Sequence, residues 1–235
     1  MRQILLSALF TVGLAGAATT DSGPTRVFID SGELHYDGVL EQDANERLFA
    51  LYDSLGEKPS RLVITSVGGD VEVGLDLGEW ASAKGLDVRV PAYCLSSCAN
   101  YVFTAGARKI VAHDAIVGFH GGLSSATFKI EGDMKPVYDA MTKEAQSAFL
   151  ADVKKDFQPT LERETTFFKR IGVRQEITTY GQAARFKRTL EGADVFTFSC
   201  EGFARFGVDR IEVTGGAWRP ERSGKSLKAV VLDVE

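Results

Sequence analysis

Residues 61–70 read Arg-Leu-Val-Ile-Thr-Ser-Val-Gly-Gly-Asp, a stretch that carries the clearest local signal of the fold class. Its first half, 61–65, is a short apolar and β-branched run that is typical of a strand buried in a parallel sheet. Its second half, 66–70, is a glycine-rich turn. Apolar residues then recur at helical spacing until Gly85, at Val73, Leu77, Trp80 and Ala81. The stretch therefore predicts a strand that turns sharply into a helix.

The same alternation continues on both sides of this unit. Upstream, the patterns predict a strand at 26–30, a turn at 31–33 and a helix at 45–55. Downstream, they predict strands at 87–91, 109–112 and 115–119, with a turn at 93–98 and a buried helix at 99–105. Such a series predicts βαβ units with right-handed crossovers, and hence the α/β class.

The amino-acid composition of the chain changes after residue 123. Residues 134–170 are rich in Lys, Glu, Asp and Ala and predict helix, with an interruption at Pro159. Short strands are predicted at 208–213 and 229–234, a short strand or loop at 194–199, and a short helix at 201–206. We predict a single α/β domain over 18–235, with a helical segment over residues 123–190 or so.

The first residues form a separate segment. Arg2 is followed by an apolar run from Ile4 to Leu14 and by the small-residue pattern Ala15-Gly16-Ala17. This arrangement predicts a cleaved signal peptide at 1–17, and the apolar run is short for a membrane span. We therefore expect a periplasmic or secreted protein with no stable membrane insertion after cleavage.

Composition narrows the classes of partner and cofactor. The net charge of −5 gives no support for a nucleic-acid partner, and the basic residues near 185–188 and 219–228 are interpreted as solvated surface. The 235 residues, 44% of them hydrophobic, suffice for one sizeable core. The three histidines do not cluster with the cysteines at ligand spacing, so no metal site and no cofactor are predicted.

The cysteines are odd in number: Cys94, Cys98 and Cys200. At least one is therefore free or pairs with another chain. In an oxidising compartment, a Cys94–Cys98 bond or a bond to Cys200 is one alternative. The other is a set of buried thiols, because residues four apart share one face of a helix. The pattern leaves this choice open, since a disulfide requires a particular Cα separation.

Ser97 is the candidate nucleophile. It follows a strand and a run of small residues, and it opens an apolar helix whose N-terminus favours developing negative charge. A serine in this position is more often an N-cap, so its own surroundings leave both interpretations open. A nucleophilic serine also needs a base, a group that orients the base, and donors to the oxyanion. The Gly68-Gly69 turn before Ser97 and His120 after it are candidates for those roles.

Several motifs resemble the proteolytic subunit of Clp protease. Ser-Ser-Cys-Ala-Asn-Tyr-Val-Phe-Thr-Ala-Gly, 96–106, is similar to the family's nucleophile segment, in which nine residues separate the serine from the glycine that ends its helix. Ser97 and Gly106 have this interval. Four further segments are also similar to that family. Residues 32–33 resemble its opening turn, and residues 66–69 resemble its oxyanion turn, with Val67 in place of proline. Residues 116–120 resemble its histidine strand, and residues 194–211 resemble its late aspartate segment.

The resemblance covers two blocks, 26–121 and 194–213, and implies a crotonase-type α/β fold, a ββα superhelix with a helical insertion. It implies that Ser97 attacks a carbonyl, that His120 accepts its proton, and that Asp194 orients the imidazole. The N–H groups of Gly68 and Cys98 would bind the oxyanion, and Gly69 would allow close approach. The interval from His120 to Asp194 is longer than in the family, which leaves Asp152 and Asp156 as competitors.

These residues lead to an expected function and its alternatives. We expect an exported, ATP-independent serine peptidase that acts on peptides or unfolded protein. Residues 123–175 occupy the place of the family's handle, which implies a homo-oligomer. The alternative is a non-catalytic peptide-binding or scaffold protein on the same fold. Acyl-CoA chemistry is a third interpretation, disfavoured by export and by the lack of an acidic pair suited to hydration.

Overall fold

The computed structural model describes residues 23–125, 134–220 and 227–234. The predicted signal peptide at 1–17 lies outside the described residues. The strands are β1 (Arg26–Asp30), β2 (Glu33–Asp37), β3 (Arg61–Thr65), β4 (Asp87–Val90), β5 (Tyr93–Leu95), β6 (Lys109–Ala112), β7 (Ile116–Gly118), β8 (Val195–Phe198), β9 (Ile211–Thr214) and β10 (Ala229–Leu232). The helices are α1 (Gln42–Ser54), α2 (Val71–Ala83), a π-helix (Cys98–Phe103), α3 (Met134–Asp139), α4 (Lys143–Ile171) and α5 (Cys200–Arg205).

A mostly parallel sheet organises these elements. Its order is β1-β2-β3-β4-β6-β9, with β1 antiparallel to β2 and the other neighbours parallel. Two parallel pairs, β5 with β7 and β8 with β10, stand beside it. A parallel bridge between Ser66 and Cys94 joins β5 to the end of β3, and an antiparallel bridge between Phe119 and Phe196 joins β7 to β8. The α/β prediction is confirmed.

Helix α2 packs closely on the π-helix because two of its residues are glycines. A Cβ at Gly74 would lie 2.8 Å from Cδ2 of Tyr101, and a Cβ at Gly78 would lie 2.6 Å from the Tyr101 carbonyl oxygen. The largest fully buried side chains of the core include nine aromatic residues: Tyr36, Tyr101, Phe103, Phe119, Phe167, Phe168, Phe198, Phe203 and Phe206. The helix that begins after Ser97 is therefore held between α2 and this core.

Helix α4 corrects one prediction. It runs through Pro159 as one continuous helix, so the predicted interruption at that residue is wrong. A proline inside a helix removes one hydrogen bond, but contacts made by the flanking turns can retain the helix. Here the side chain of Arg163 bonds Glu72 at 2.6 Å and Asp76 at 2.5 Å, both on α2.

Among the helices of the described ranges, none is long and apolar enough to cross a membrane.

Two short strands were also missed or misassigned. Residues 93–95 form β5, whereas the sequence predicted a turn over 93–98. Residues 33–37 form β2, which pairs with both β1 and β3 and was not predicted as a strand. Both are fixed by pairing with distant segments, which local composition does not record.

Candidate active site

The register of β5 and β7 brings the candidate nucleophile and base to one edge of the parallel strands. Leu95 pairs with Gly118, and the Ser96 N–H donates to the Gly118 carbonyl at 2.9 Å. Ser97 and His120 each lie two residues beyond this pair. Because neighbouring strands are about 4.8 Å apart, the two segments leave the strands side by side. The carboxyl edge of parallel strands is also where α/β proteins place ligand sites.

The glycine-rich turn meets the same edge. The Leu95 N–H donates to the Ser66 carbonyl at 2.9 Å, so the end of β3 lies beside the end of β5. Gly68 has φ +93°, and a Cβ there would lie 2.6 Å from the Leu95 carbonyl oxygen. A Cβ at Gly69 would lie 2.2 Å from the Leu40 carbonyl oxygen. Both glycines are therefore required by close backbone contacts, and Gly68 also by its left-handed backbone.

Ser97 is buried, with 3% of its surface exposed. Its Oγ donates a hydrogen bond to the Gly69 carbonyl at 3.0 Å. It occupies the N-cap position of the π-helix, but its side chain makes no capping hydrogen bond. A serine in this position usually caps the helix. The Ser97 side chain does not, and its hydroxyl faces the glycine turn instead. π-Helical turns are often found at functional sites.

Gly68 is predicted to donate to the oxyanion, but in this structure its N–H and its carbonyl already form hydrogen bonds. Its N–H donates to the Ser66 Oγ at 3.1 Å, and its carbonyl accepts from the Leu40 N–H at 2.9 Å. The second bond fixes the turn against the segment that follows β2. The first is made to a hydroxyl, which can rotate or share the donor when an oxyanion binds.

His120 is half-buried, two residues after the end of β7. Its Nδ1 is buried without a hydrogen-bond partner. Burial lowers the pKa of this imidazole below its usual 6.5, so the ring is neutral near pH 7 and can accept a proton. The backbone around it is held firmly: the His120 carbonyl accepts from Gln182 Nε2 at 3.0 Å, and the Gly121 carbonyl accepts from Asn100 Nδ2 at 2.9 Å.

Asp194 directly precedes β8. A bridge between Phe196 of β8 and Phe119 joins β8 to the segment that contains His120. Asp194 Oδ2 accepts from the Lys228 N–H at 2.7 Å, which closes the beginning of the β8–β10 pair. Within the described chain, no hydrogen bond joins Ser97, His120 and Asp194 to one another. The competitors Asp152 and Asp156 lie exposed on α4. The structure thus brings Ser97 and His120 to one edge, but the side chains of Ser97 and Asp194 bond elsewhere and His120 Nδ1 has no hydrogen-bond partner.

A disulfide encloses the candidate nucleophile. Cys94 of β5 is bonded to Cys98, the first residue of the π-helix, with their Cα atoms 5.3 Å apart. Both residues are fully buried. Cys200 is a free, half-buried thiol on α5. Of the alternatives that the sequence left open, the structure therefore contains the bond between Cys94 and Cys98.

A buried carboxylate ties the nucleophile helix to the loop after His120. Glu164 of α4 is fully buried and accepts from the Tyr101 hydroxyl at 2.6 Å, the Leu123 N–H at 3.3 Å and Gln175 Nε2 at 2.6 Å. Burial raises its pKa, against the opposing effect of these donors. Sequence analysis missed Glu164. A signal was present, because it lies three and four residues before the buried Phe167 and Phe168 and so shares their helix face.

Comparisons with known proteins add distant structural likenesses. No family model matches the chain, and no curated protein matches it. An enoyl-CoA hydratase from Thermoplasma volcanium GSS1 is 11% identical, with a TM-score of 0.30, over 42% of this chain and 52% of that one. The chain thus spans about half the length of that hydratase.

Two longer matches have different activities in their names. A serine-to-alanine mutant of the membrane-bound stomatin-specific protease 1510-N is 11% identical, with a TM-score of 0.35, over 86% of this chain and 96% of that one. A methylmalonyl CoA decarboxylase is 10% identical, with a TM-score of 0.30, over 73% of this chain and 88% of that one. At these TM-scores the likenesses assign neither an activity nor a fold family.

Proposed function

We propose that this chain is a serine peptidase on a Clp-protease-like, crotonase-type fold, with Ser97 as nucleophile and His120 as general base. The observation that carries the proposal is the pairing of Leu95 with Gly118, which delivers Ser97 and His120 to one edge beside the Gly68-Gly69 turn. A neutral, half-buried imidazole at the same edge as a buried serine that does not cap its helix suits nucleophilic catalysis.

The reaction needs local rearrangements of three side chains, those of Ser97, Ser66 and Asp194, each of which is hydrogen-bonded elsewhere in this structure. The Ser97 hydroxyl must exchange its bond to the Gly69 carbonyl for one to His120, which costs about 1 kcal/mol for the lost hydrogen bond. His120 then takes the proton as Oγ attacks the peptide carbonyl, and later returns it to the leaving amine. The N–H groups of Gly68 and Cys98 bind the oxyanion. Asp194 stabilises the imidazolium by its charge, once its carboxylate turns from the Lys228 amide.

The substrate is an extended peptide that lies along the glycine turn. Val67 is 43% exposed at this turn, which offers an apolar contact for a substrate side chain beside the reacting carbonyl. Export by the N-terminal segment suits ATP-independent cleavage of short or unfolded peptides outside the cytoplasm. We further propose that the chain forms a homo-oligomer through the helical segment that includes α3 and α4.

A fluorophosphonate probe tests the proposal. The wild-type protein should be labelled on Ser97, and Ser97→Ala and His120→Ala should each abolish or strongly reduce labelling. Ser96→Ala is the matched control, because Ser96 is the adjacent hydroxyl in the same turn. Labelling that persists in Ser97→Ala would refute the assignment.

A second candidate function has an observation in its favour. Ser97 Oγ is bonded to the Gly69 carbonyl, and the Gly68 N–H is bonded to Ser66, so neither faces a substrate in this state. A protein that binds peptides at this edge without cutting them would keep these bonds. Peptide binding by a folded wild type that takes up no probe would favour this alternative.

A further inference from the structure

We propose that the Cys94–Cys98 disulfide is a positioning device for the candidate nucleophile, so that the reactivity of Ser97 depends on this bond being oxidised. The inference rests on the proposed function. The disulfide closes a ring around Leu95, Ser96 and Ser97. It therefore fixes the short turn in which β5 becomes the π-helix.

The turn has a backbone conformation that needs support. Ser96 has φ +55°, in the left-handed region that non-glycine residues rarely adopt. Such a conformation costs on the order of 1–2 kcal/mol and persists only where its surroundings impose it. The Ser96 N–H bond to the Gly118 carbonyl and the Asn100 N–H bond to the Ser96 carbonyl, at 2.8 Å, supply part of that support. The covalent link supplies the rest.

Both ends of the crosslink are attached to parts of the candidate site. Cys94 pairs with Val117 of β7 and bridges to Ser66, which precedes the glycine turn. Cys98 directly follows Ser97, and its own N–H is a candidate oxyanion donor. The bond thus sets the distance between the glycine turn, the strand leading to His120, and the first turn of the nucleophile helix. A misplacement of about 1 Å in such a site can cost roughly a hundredfold in rate.

Reduction acts directly on this geometry. A dithiol reductant supplies two electrons and two protons: the S–S bond breaks, two thiols form, and the dithiol becomes a disulfide. Non-bonded heavy atoms settle about 3.5–4.0 Å apart, well beyond a covalent sulfur–sulfur bond. Both cysteines are fully buried, so the separated sulfurs need space that the neighbouring turn and helix now occupy. The Ser97 hydroxyl and the Cys98 N–H then lose their fixed directions.

The test compares fluorophosphonate labelling rates of the oxidised and the reduced full-length mature protein. Reduction with dithiothreitol should slow labelling of Ser97 roughly tenfold or more, and reoxidation should restore it. Thiol titration in denaturant should find one thiol before reduction, that of Cys200, and three after it. Circular dichroism at the same temperature confirms that the reduced protein is folded.

Two variants sharpen the comparison. Cys94→Ala/Cys98→Ala should label slowly with or without reductant, while keeping the N–H of residue 98. Cys200→Ala is the matched control, because it removes a thiol outside the turn and should respond to reductant as wild type does. If the double variant does not fold, the reversible reduction of wild type still decides the matter.

The outcomes separate this inference from the proposed function. Equal labelling of oxidised and reduced wild type, or three titratable thiols before reduction, overturns the inference alone. Labelling absent from the folded protein in both redox states overturns the proposed function, and this inference with it.

Discussion

Leu95 of β5 and Gly118 of β7 are paired in parallel register, and the Ser96 N–H donates a hydrogen bond to the Gly118 carbonyl at 2.9 Å. This relationship places Ser97 and His120 each two residues beyond the end of neighbouring strands. The site is therefore specified by backbone pairing before any side-chain contact forms.

The pH dependence of the reaction tests the state of His120. Burial lowers the pKa of its imidazole below 6.5, and only the neutral ring accepts the serine proton. The labelling rate should be constant near neutrality and fall as the pH drops through a midpoint below 6.5. Rate measurements across the acidic range locate this midpoint. A midpoint above 6.5 would show that the imidazole is stabilised in its charged form, contrary to its burial.

Removing the buried carboxylate should destabilise the protein. Glu164→Ala leaves the Tyr101 hydroxyl, the Leu123 N–H and Gln175 without their acceptor. Buried donors without partners are costly, so the free energy of unfolding should fall by about 2–4 kcal/mol. Denaturant unfolding measures the change.

The same helix offers the control for this variant. Glu162 is exposed, and its carboxylate accepts from Gln158 Nε2 of the same helix at 3.0 Å. Glu162→Ala should change the free energy of unfolding by less than about 0.5 kcal/mol. Similar losses in the two variants would mean that the Glu164 contacts contribute little.

Close packing of α2 on the nucleophile helix predicts a sensitive glycine. A Cβ at Gly74 would lie 2.8 Å from Tyr101 Cδ2 and 3.0 Å from Ser97 Cβ. Gly74→Ala should therefore lower the free energy of unfolding by about 1–3 kcal/mol and slow the labelling of Ser97. Gly56→Ala is the control, because nothing lies within 4 Å of a Cβ at that position. Unchanged labelling and stability in Gly74→Ala would show that α2 can move away without cost.

The ion pairs between α2 and α4 predict a smaller, salt-dependent effect. Arg163 bonds carboxylates of α2, including Glu79 at 2.9 Å, while remaining partly exposed. Because solvent and salt screen exposed pairs, Arg163→Ala should cost on the order of 1 kcal/mol at low ionic strength and less in high salt. Thermal unfolding at two salt concentrations measures this difference. A loss that is independent of salt would point to packing by the arginine stem instead.

Much of the fold could be predicted because several elements carry a strong local signal. Residues 61–65 are apolar and β-branched and form β3 with the predicted bounds. The helical spacing after 70 likewise gives α2. β5 could not be predicted in this way, because three residues are too few to show a period. It exists through its pairing with β7 and its bridge to Ser66.

The candidate site could likewise be predicted only in part from the sequence. The order of the glycine turn, Ser97 and His120 is visible in the sequence, and parallel strands convert that order into a common edge. The partners of each side chain are set by tertiary contacts: Ser97 with Gly69, and Asp194 with the Lys228 amide. Whether Cys94 bonds Cys98 depended on a Cα separation, 5.3 Å, that the spacing of the two residues does not provide.

The most direct test of the central claim is to trap the acyl-enzyme. The wild-type protein is mixed with an activated ester, and the intact mass and peptide map are recorded. We expect an early burst with one acyl group per chain on the peptide that contains Ser97, and no such adduct in Ser97→Ala. An adduct on another residue, or a folded wild type that never acylates, would contradict it.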